Sequence, residues 1–244
     1  MIYFAHRGLP ALRVQNTTES FALARQKGAK YYELDVHLLK DGALVVHHDY
    51  SLLNTAGFDV KLADLTMADL KKYPLKNPFT NTTLTVPLLE DIIPLVLPEL
   101  EILNIEIKND DNVYPGIESV LLRALKKWPE IAPKILFSGF DYDSLVRLRA
   151  LDKNARIGLL TRAFDVSKAL ALGAESVHIN QTRLTQEVVR VCPSYFLRFS
   201  LSTVTSSPSK KTPYIPGPQE IPTIAPIQNS STGICNSSSI LFLK

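Results

Sequence analysis

Between residues 88 and 191 the sequence alternates helix and strand signals at a short, even interval, and few architectures accept that rhythm. Helices are predicted at 88–97, 116–127, 141–151, 164–172 and 182–191, with strands between them at 102–107, 134–138, 156–160 and 175–179. Gly173 stands where the fourth of these helices should stop. Alternation at this spacing means a parallel sheet with helical crossovers. Upstream, the apolar run 2–5 reads as a buried strand that ends in the charged pair His6-Arg7. Thr17 or Thr18 can cap a helix through Phe21, Ala22, Leu23 and Ala24, and Gly28 can stop it. Tyr31 to Leu38 has a period of two, Asp41-Gly42 is a two-residue turn signal, and Ala43 to Val46 is a second strand. Six or so strands close most of a (β/α)8 barrel, which needs about 250 residues; the chain has 244.

Composition narrows the partners. With 45% hydrophobic and 21% charged residues the chain can bury a core, which excludes collagen, coiled coil and wholesale disorder. Cys192 and Cys235 are too few for a disulfide scaffold. No run of about 18 apolar residues occurs, and Met1 to Ala5 leads straight into His6-Arg7, so neither a membrane span nor a signal peptide is expected and a cytoplasmic location is. Residues 193–244 carry four basic residues against one acid, which leaves 23 of each sign in residues 1–192. The net charge of +3 therefore lies in the tail, without the basic face that nucleic acid requires.

Two regions break the rhythm. Residues 50–87 are irregular, with one helical stretch near Met67 to Lys72, and read as an insertion beside the strand ends. Residues 193–244 contain eleven Ser, five Thr and seven Pro, with no sustained period beyond Phe196 to Val204. The division expected is a barrel over 1–192, carrying the 50–87 insertion, and a disordered tail over 193–244.

Acids inside apolar strands need a reason. Glu33 and Asp35 share one face of their strand, and Glu106 interrupts Ile105-Glu106-Ile107. A solvated edge strand explains the first two, and a salt bridge to Lys108 explains the third. Together at strand ends, the three make an oxygen-only site for a hard cation, Mg²⁺ or Ca²⁺. Histidine is the second anomaly, because His6, His47 and His48 end predicted strands, where barrels place their active sites. A tight two-residue turn makes paired positions sum to about 83, which sets Asp35 opposite His48. Two imidazoles flanking a cation-bound phosphate can exchange protons near neutral pH. His37, His47 and His178 read instead as satisfied core or surface residues. Arg7 can fork onto a phosphate or make an ion pair. Trp128, Phe137 and Phe140 read as core or pocket wall, and no Gly-rich phosphate loop, nucleophile elbow or zinc spacing is present.

These pieces fall in a familiar order: His6-Arg7-Gly8, Asn16-Thr17 with Glu19-Ser20-Phe21, Glu33-Leu34-Asp35-Val36, Asp41-Gly42, Val45-Val46-His47-His48-Asp49 and Ile105-Glu106-Ile107-Lys108. Phe137-Ser138-Gly139-Phe140-Asp141 and Arg156-Ile157-Gly158-Leu159-Leu160 follow. Over residues 2–191 the chain resembles the glycerophosphodiester phosphodiesterase family. The resemblance implies a (β/α)8 barrel that hydrolyses a small-molecule glycerophosphodiester to glycerol 3-phosphate and an alcohol. It makes Glu33, Asp35 and Glu106 the cation ligands, His6 and His48 the acid–base pair, and Arg7 and Lys108 the phosphate holders. It also makes 50–87 a segment that can shape the pocket at the glycerol end. The other readings are an inactive barrel remnant and a phospholipase D-like enzyme of the same barrel type.

Two departures stand out. Val14-Gln15 replaces the Pro-Glu that family members usually carry before the Asn-Thr pair, removing one negative charge near the site. Residues 193–244 show neither the aromatic, β-branched strand nor the final Gly-x-Asp and Thr-Asp pattern with which such chains close the barrel. The expectation is therefore a barrel incomplete at its C-terminal end with two unpaired edges, its tail out of frame or otherwise disrupted. The alternative is a genuine tail whose stretch near Phe196 to Val204 supplies a seventh strand.

Overall fold

The computed structural model describes residues 2–163, 165–180, 198–202 and 240–243, the last two segments as backbone only. The first half of the chain holds β1 (Ile2–His6), α1 (Thr18–Gln26), β2 (Tyr31–Leu38), β3 (Leu44–Val46), α2 (Leu53–Ala56), α3 (Met67–Leu70), β4 (Leu75–Asn77), β5 (Thr82–Leu84), α4 (Leu89–Val96) and β6 (Ile102–Ile107). After these come α5 (Ile117–Leu125), β7 (Ile135–Gly139), α6 (Tyr142–Leu151), β8 (Arg156–Thr161), α7 (Val166–Leu172), β9 (Ser176–Asn180), β10 (Arg198–Ser202) and β11 (Ile240–Leu243). The strands and helices expected from 88 to 180 are all present, with ends shifted by one or two residues.

Local chemistry sets the element ends. Thr17 is extended and its hydroxyl accepts from Ser20 N at 3.3 Å, which meets one orphan donor of the first turn of α1. Gly173 closes α7 at φ +62, a conformation that a Cβ would strain.

Parallel strands run round the sheet in the order β1-β2-β6-β7-β8-β9-β10-β11, and β11 pairs back with β1. This is the expected (β/α)8 barrel. Alternation gives each strand two environments. Leu34 and Val36 of β2, Ile105 of β6, Phe137 of β7 and Ile157 of β8 join the core beneath the helices, with Phe21, Ile92, Ile93, Leu121 and Leu148. The opposite parity faces the barrel interior. Phe4, Ile102 and Leu136 form an apolar plug there. Two residues further along each strand, toward its C-terminal end, come His6, Asn104 and Ser138. The polar layer thus sits on a dry floor, at the end where barrels place their sites.

The insertion has a core of its own. Leu52, Ala56, Leu62, Leu65, Leu70, Leu75 and Val86 pack with Leu39 and Val45, so 50–87 is folded rather than merely irregular.

At the C-terminal end, the stretch that the alternative reading made a seventh strand forms one, with Arg198–Ser202 parallel to β9. Ile240–Leu243 is a strand that the sequence reading did not recognise, because a four-residue apolar run carries no period. Backbone pairing joins the two edges that were expected to stay open. The connections from β9 to β10 and from β10 to β11, residues 181–197 and 203–239, lie outside the described residues. The helix expected at 182–191 lies outside the described residues, as does the tail over 193–244 apart from the two strands. Among the described residues no helix is long and apolar enough to cross a membrane.

Candidate active site

Glu33 and Asp35 do not line a solvated edge. Strand β2 pairs with β1, β3 and β6, and the two carboxylates are 2% and 0% exposed. Asp35 is the register partner of Glu106, and Glu33 that of both His6 and Asn104. The result is a compact cluster in which carboxylate oxygens of Glu33, Asp35 and Glu106 lie within 4.8 Å of one another.

Two fixed cations answer three acids. Arg7 Nε lies 3.1 Å from Asp35 Oδ2, and Lys108 Nζ lies 3.1 Å from Asp35 Oδ1 and 2.5 Å from Glu106 Oε1. The salt bridge weighed for Glu106 is therefore real, and it sits inside the acidic cluster rather than in place of it. Burial pushes Asp35 up, but the charges of Lys108 and Arg7 more than offset this and hold it well below the usual carboxylate range. Glu33 goes the other way, because burial and then the charge of Asp35 both raise it. Glu106 is also raised, by burial that Lys108 only partly counters.

Arg7 is aimed by its backbone. It sits at φ +57, its N–H donates to Glu33 Oε2 at 3.1 Å, and one guanidinium nitrogen donates to Gln15 Oε1 at 3.0 Å. Gln15, the residue that departs from the family pattern, thus contacts the site as a neutral partner of Arg7. His6 Nε2 lies 3.6 Å from Glu33 Oε2.

The hairpin register differs from expectation by one residue. Val36 pairs with Val46 and His37 with Val45, and His47 N donates to Asp35 O at 3.1 Å, so Asp35 stands opposite His47. The loop has three residues, Lys40 to Gly42, closed by Gly42 N to Leu39 O at 2.9 Å with Gly42 at φ +87. The extra residue is accommodated by a left-handed glycine, a common three-residue hairpin geometry that Asp-Gly alone does not distinguish from the two-residue turn. His48 then lies just past the paired positions. Its Nδ1 is 2.6 Å from Asp49 Oδ1, and Asn54 donates to Asp49 Oδ2 at 2.9 Å. Burial lowers the His48 pKa, so the ring is neutral near pH 7.

The other histidines are buried and hydrogen-bonded. His37 contacts Tyr114 OH at 2.9 Å and His48 O at 3.3 Å, and burial lowers its pKa to about 3. His47 is held by Asp49 O at 2.8 Å and Thr55 Oγ1 at 2.9 Å. His178 meets Ser176 Oγ at 2.9 Å. Phe137 is core, whereas Phe140 is exposed beneath the Arg162 guanidinium.

Sequence reasoning assigned no role to Asn16, Asp49 or Asn54. Asp49 and Asn54 carry signals only as near neighbours of His48. Asn16 is 1% exposed, adopts φ +56, and donates from Nδ2 to Asp35 Oδ2 at 2.8 Å. Among the described residues its Oδ1 has no hydrogen-bond partner. An unmet buried acceptor costs about 1–3 kcal/mol. Beside it, three carboxyl groups face two fixed cations, Arg7 and Lys108, and when all three are ionised, as a bound cation would favour, one negative charge is left over. Oxygen-only donors, excess negative charge and an unmet acceptor all fit a hard divalent cation such as Mg²⁺ or Ca²⁺.

Comparison with known proteins identifies relatives of the chain. A family model described as "Glycerophosphoryl diester phosphodiesterase family" matches residues 6–198. A glycerophosphodiester phosphodiesterase of Caldanaerobacter subterraneus subsp. tengcongensis is 32% identical over 196 residues, 78% of this chain and 80% of that protein. One from Bacillus altitudinis is 35% identical over 161 residues, and the match spans 65% of each chain. Among solved structures, an Oleispira antarctica phosphodiesterase in complex with the product sn-glycerol-3-phosphate superposes with a TM-score of 0.76 at 26% identity, covering 84% of this chain and 85% of that one.

Proposed function

The chain belongs to the glycerophosphoryl diester phosphodiesterase family, and on that premise we propose that it hydrolyses glycerophosphodiesters to glycerol 3-phosphate and an alcohol, using the site at the C-terminal ends of β1, β2 and β6. The observation that carries the reading is the buried triad of carboxylates, drawn within 4.8 Å and flanked by Arg7, Lys108, His6 and His48. The catalytic unit is residues 1–192 with its 50–87 insertion, and every residue given a role lies within it.

Glu33, Asp35 and Glu106 are the residues to hold Mg²⁺ or Ca²⁺, which when bound neutralises and polarises the phosphodiester. Arg7 and Lys108 place forked and point-charge donors beside the same carboxylates, where a phosphate oxygen can exchange for part of their present pairing. His48 takes the proton of the attacking oxygen, because burial keeps its ring neutral and Asp49 fixes its orientation through Nδ1. His6 gives a proton to the departing alkoxide, which leaves as the alcohol. Two such positioned transfers contribute roughly 10²–10⁴ each in rate.

The test is glycerol 3-phosphate release from glycerophosphocholine by the full chain, with Mg²⁺, with Ca²⁺ and after chelation. Release is expected only with cation, and is lost in His6→Ala, His48→Ala and Glu33→Ala. Release that persists after chelation, or in either histidine variant, overturns the assignment. A folded chain without release supports the inactive remnant, and release from a lysophospholipid alone supports the phospholipase D-like reading.

A further inference from the structure

We infer that Asn16 Oδ1 is a fourth protein ligand of the divalent cation, alongside Glu33, Asp35 and Glu106. The inference rests on the cation site proposed above and extends it to a residue outside the acidic triad. Asn16 lies on the loop between β1 and α1, away from β2 and β6, the two strands that carry the carboxylates, and from Lys108 just past β6. Its backbone N–H donates to Arg7 O at 3.0 Å, which ties the residue to the turn that aims Arg7.

The amide orientation is determined by chemistry. Asp35 Oδ2 lies 3.1 Å from Arg7 Nε in an ion pair and takes its hydrogen bond from Asn16, where only Nδ2 can donate, at 2.8 Å. A flipped amide would set oxygen against a carboxylate. With Nδ2 committed, the planar group leaves Oδ1 beside the cluster, buried and without a hydrogen-bond partner among the described residues. Its neighbourhood already occupies the cationic groups: Arg7 with the Asp35 carboxylate and the Gln15 amide oxygen, Lys108 with the carboxylates of Asp35 and Glu106. A hard cation is the partner that an amide oxygen and three carboxylates share. Six-coordinate Mg²⁺ and six- to eight-coordinate Ca²⁺ both have room for a fourth protein oxygen and still keep positions for substrate or water. One residue would then orient a ligand through its nitrogen and be a ligand through its oxygen.

Two substitutions separate these tasks without straining the left-handed backbone, which Gly and Asp both tolerate. Asn16→Gly removes both atoms. Asn16→Asp keeps an oxygen donor and removes the N–H to Asp35. The measurement is direct binding of Mg²⁺ or Ca²⁺ alone to the chelator-stripped full chain, by calorimetry and by cation-dependent thermal stabilisation. If Oδ1 is a ligand, Asn16→Gly binds at least about tenfold more weakly. Asn16→Asp binds as tightly as the native chain or more tightly, while its cation-free form melts lower. Equal weakening in both variants overturns the inference, because Asn16 would then act only by orienting Asp35. Native affinity in Asn16→Gly overturns it as well. If that variant does not fold, Asn16→Asp decides alone, with affinity below native counting against ligation. No saturable cation response from the native chain would remove the cation site itself, and this inference with it.

Discussion

Asp35 and Glu106 stand opposite each other on neighbouring parallel strands, and one ammonium serves both: Lys108 Nζ is 3.1 Å from Asp35 Oδ1 and 2.5 Å from Glu106 Oε1. Like charges paired across a sheet repel, so Lys108 is what makes this register tolerable before any cation binds. Burial alone would lower its pKa, but the two carboxylates raise it above the ordinary lysine value. Lys108→Met should destabilise the cation-free chain by about 3 kcal/mol, the low end of the range for breaking a buried pair, because Glu106 can take up a proton. Denaturant unfolding with and without Mg²⁺ checks this. The loss should shrink when Mg²⁺ is added, and an equal loss in both conditions would speak against a shared cation site.

Gly8 sits at φ +87 directly after Arg7, and a Cβ there would come within 2.4 Å of Ser20 Oγ and 2.7 Å of the Ser20 carbonyl carbon. Ser20 Oγ accepts from Leu9 N and donates to Arg7 O, so the clash falls on the hydrogen bonds that shape the Arg7 turn. Gly28 has nearly the same φ, +85, with nothing within 4 Å. Gly28→Ala should cost only the left-handed strain, about 1–2 kcal/mol. Gly8→Ala should cost clearly more and lower activity with it. Comparable melting temperatures for the two variants would refute the argument.

Asp49 touches His48 and not the carboxylate cluster, so its role is to position a ring. Its own pKa is pushed up by burial, but the bonds from Asn54 and His48 outweigh this and keep it ionised. Asp49→Ala should lower kcat by about tenfold or more, within the 10²–10⁴ that a positioned imidazole supplies, with KM little changed. Asp49→Asn retains an acceptor for Nδ1 and should lose less. A loss confined to KM would place Asp49 in substrate binding instead.

Acid stability should carry the mark of the buried histidines. Burial lowers His178 to about 3 from the usual 6.5. Between those values the unfolded chain binds a proton that the folded chain does not, so stability rises with pH and is lost on acidification from 6.5 toward 3. Melting curves of the native chain and His178→Gln from pH 7.5 down to pH 4 test this. The variant should show the shallower pH dependence, since it lacks one proton of linkage; parallel curves would contradict the buried neutral ring. The opposite-signed contribution of Glu33, whose raised pKa favours the protonated folded form, is common to both proteins and cancels in the comparison.

Much of the site was legible before the fold, for a physical reason. A carboxylate within an apolar strand is costly, so Glu33, Asp35 and Glu106 announced themselves by composition against period. His37 and His178 were legible as satisfied residues without a part in the site, though only the fold places them in the interior. Asn16, by contrast, lies in a loop where asparagine is common, and nothing local marks an amide that reaches Asp35. The one-residue shift that places His47 opposite Asp35 was hidden because Asp-Gly suits loops of two or three residues equally well.

By itself, then, the sequence determined the alternation of strands and helices, the parallel barrel this implies, and the chemical character of the cluster, because periodicity and burial cost are local properties of a chain. Only the tertiary structure decided which groups meet. His6 facing Glu33, Asp35 facing Glu106, Lys108 bridging two acids and Asn16 left with an unmet oxygen all depend on the registers between strands distant in sequence and on the path of loops, and those are settled by packing of the whole barrel.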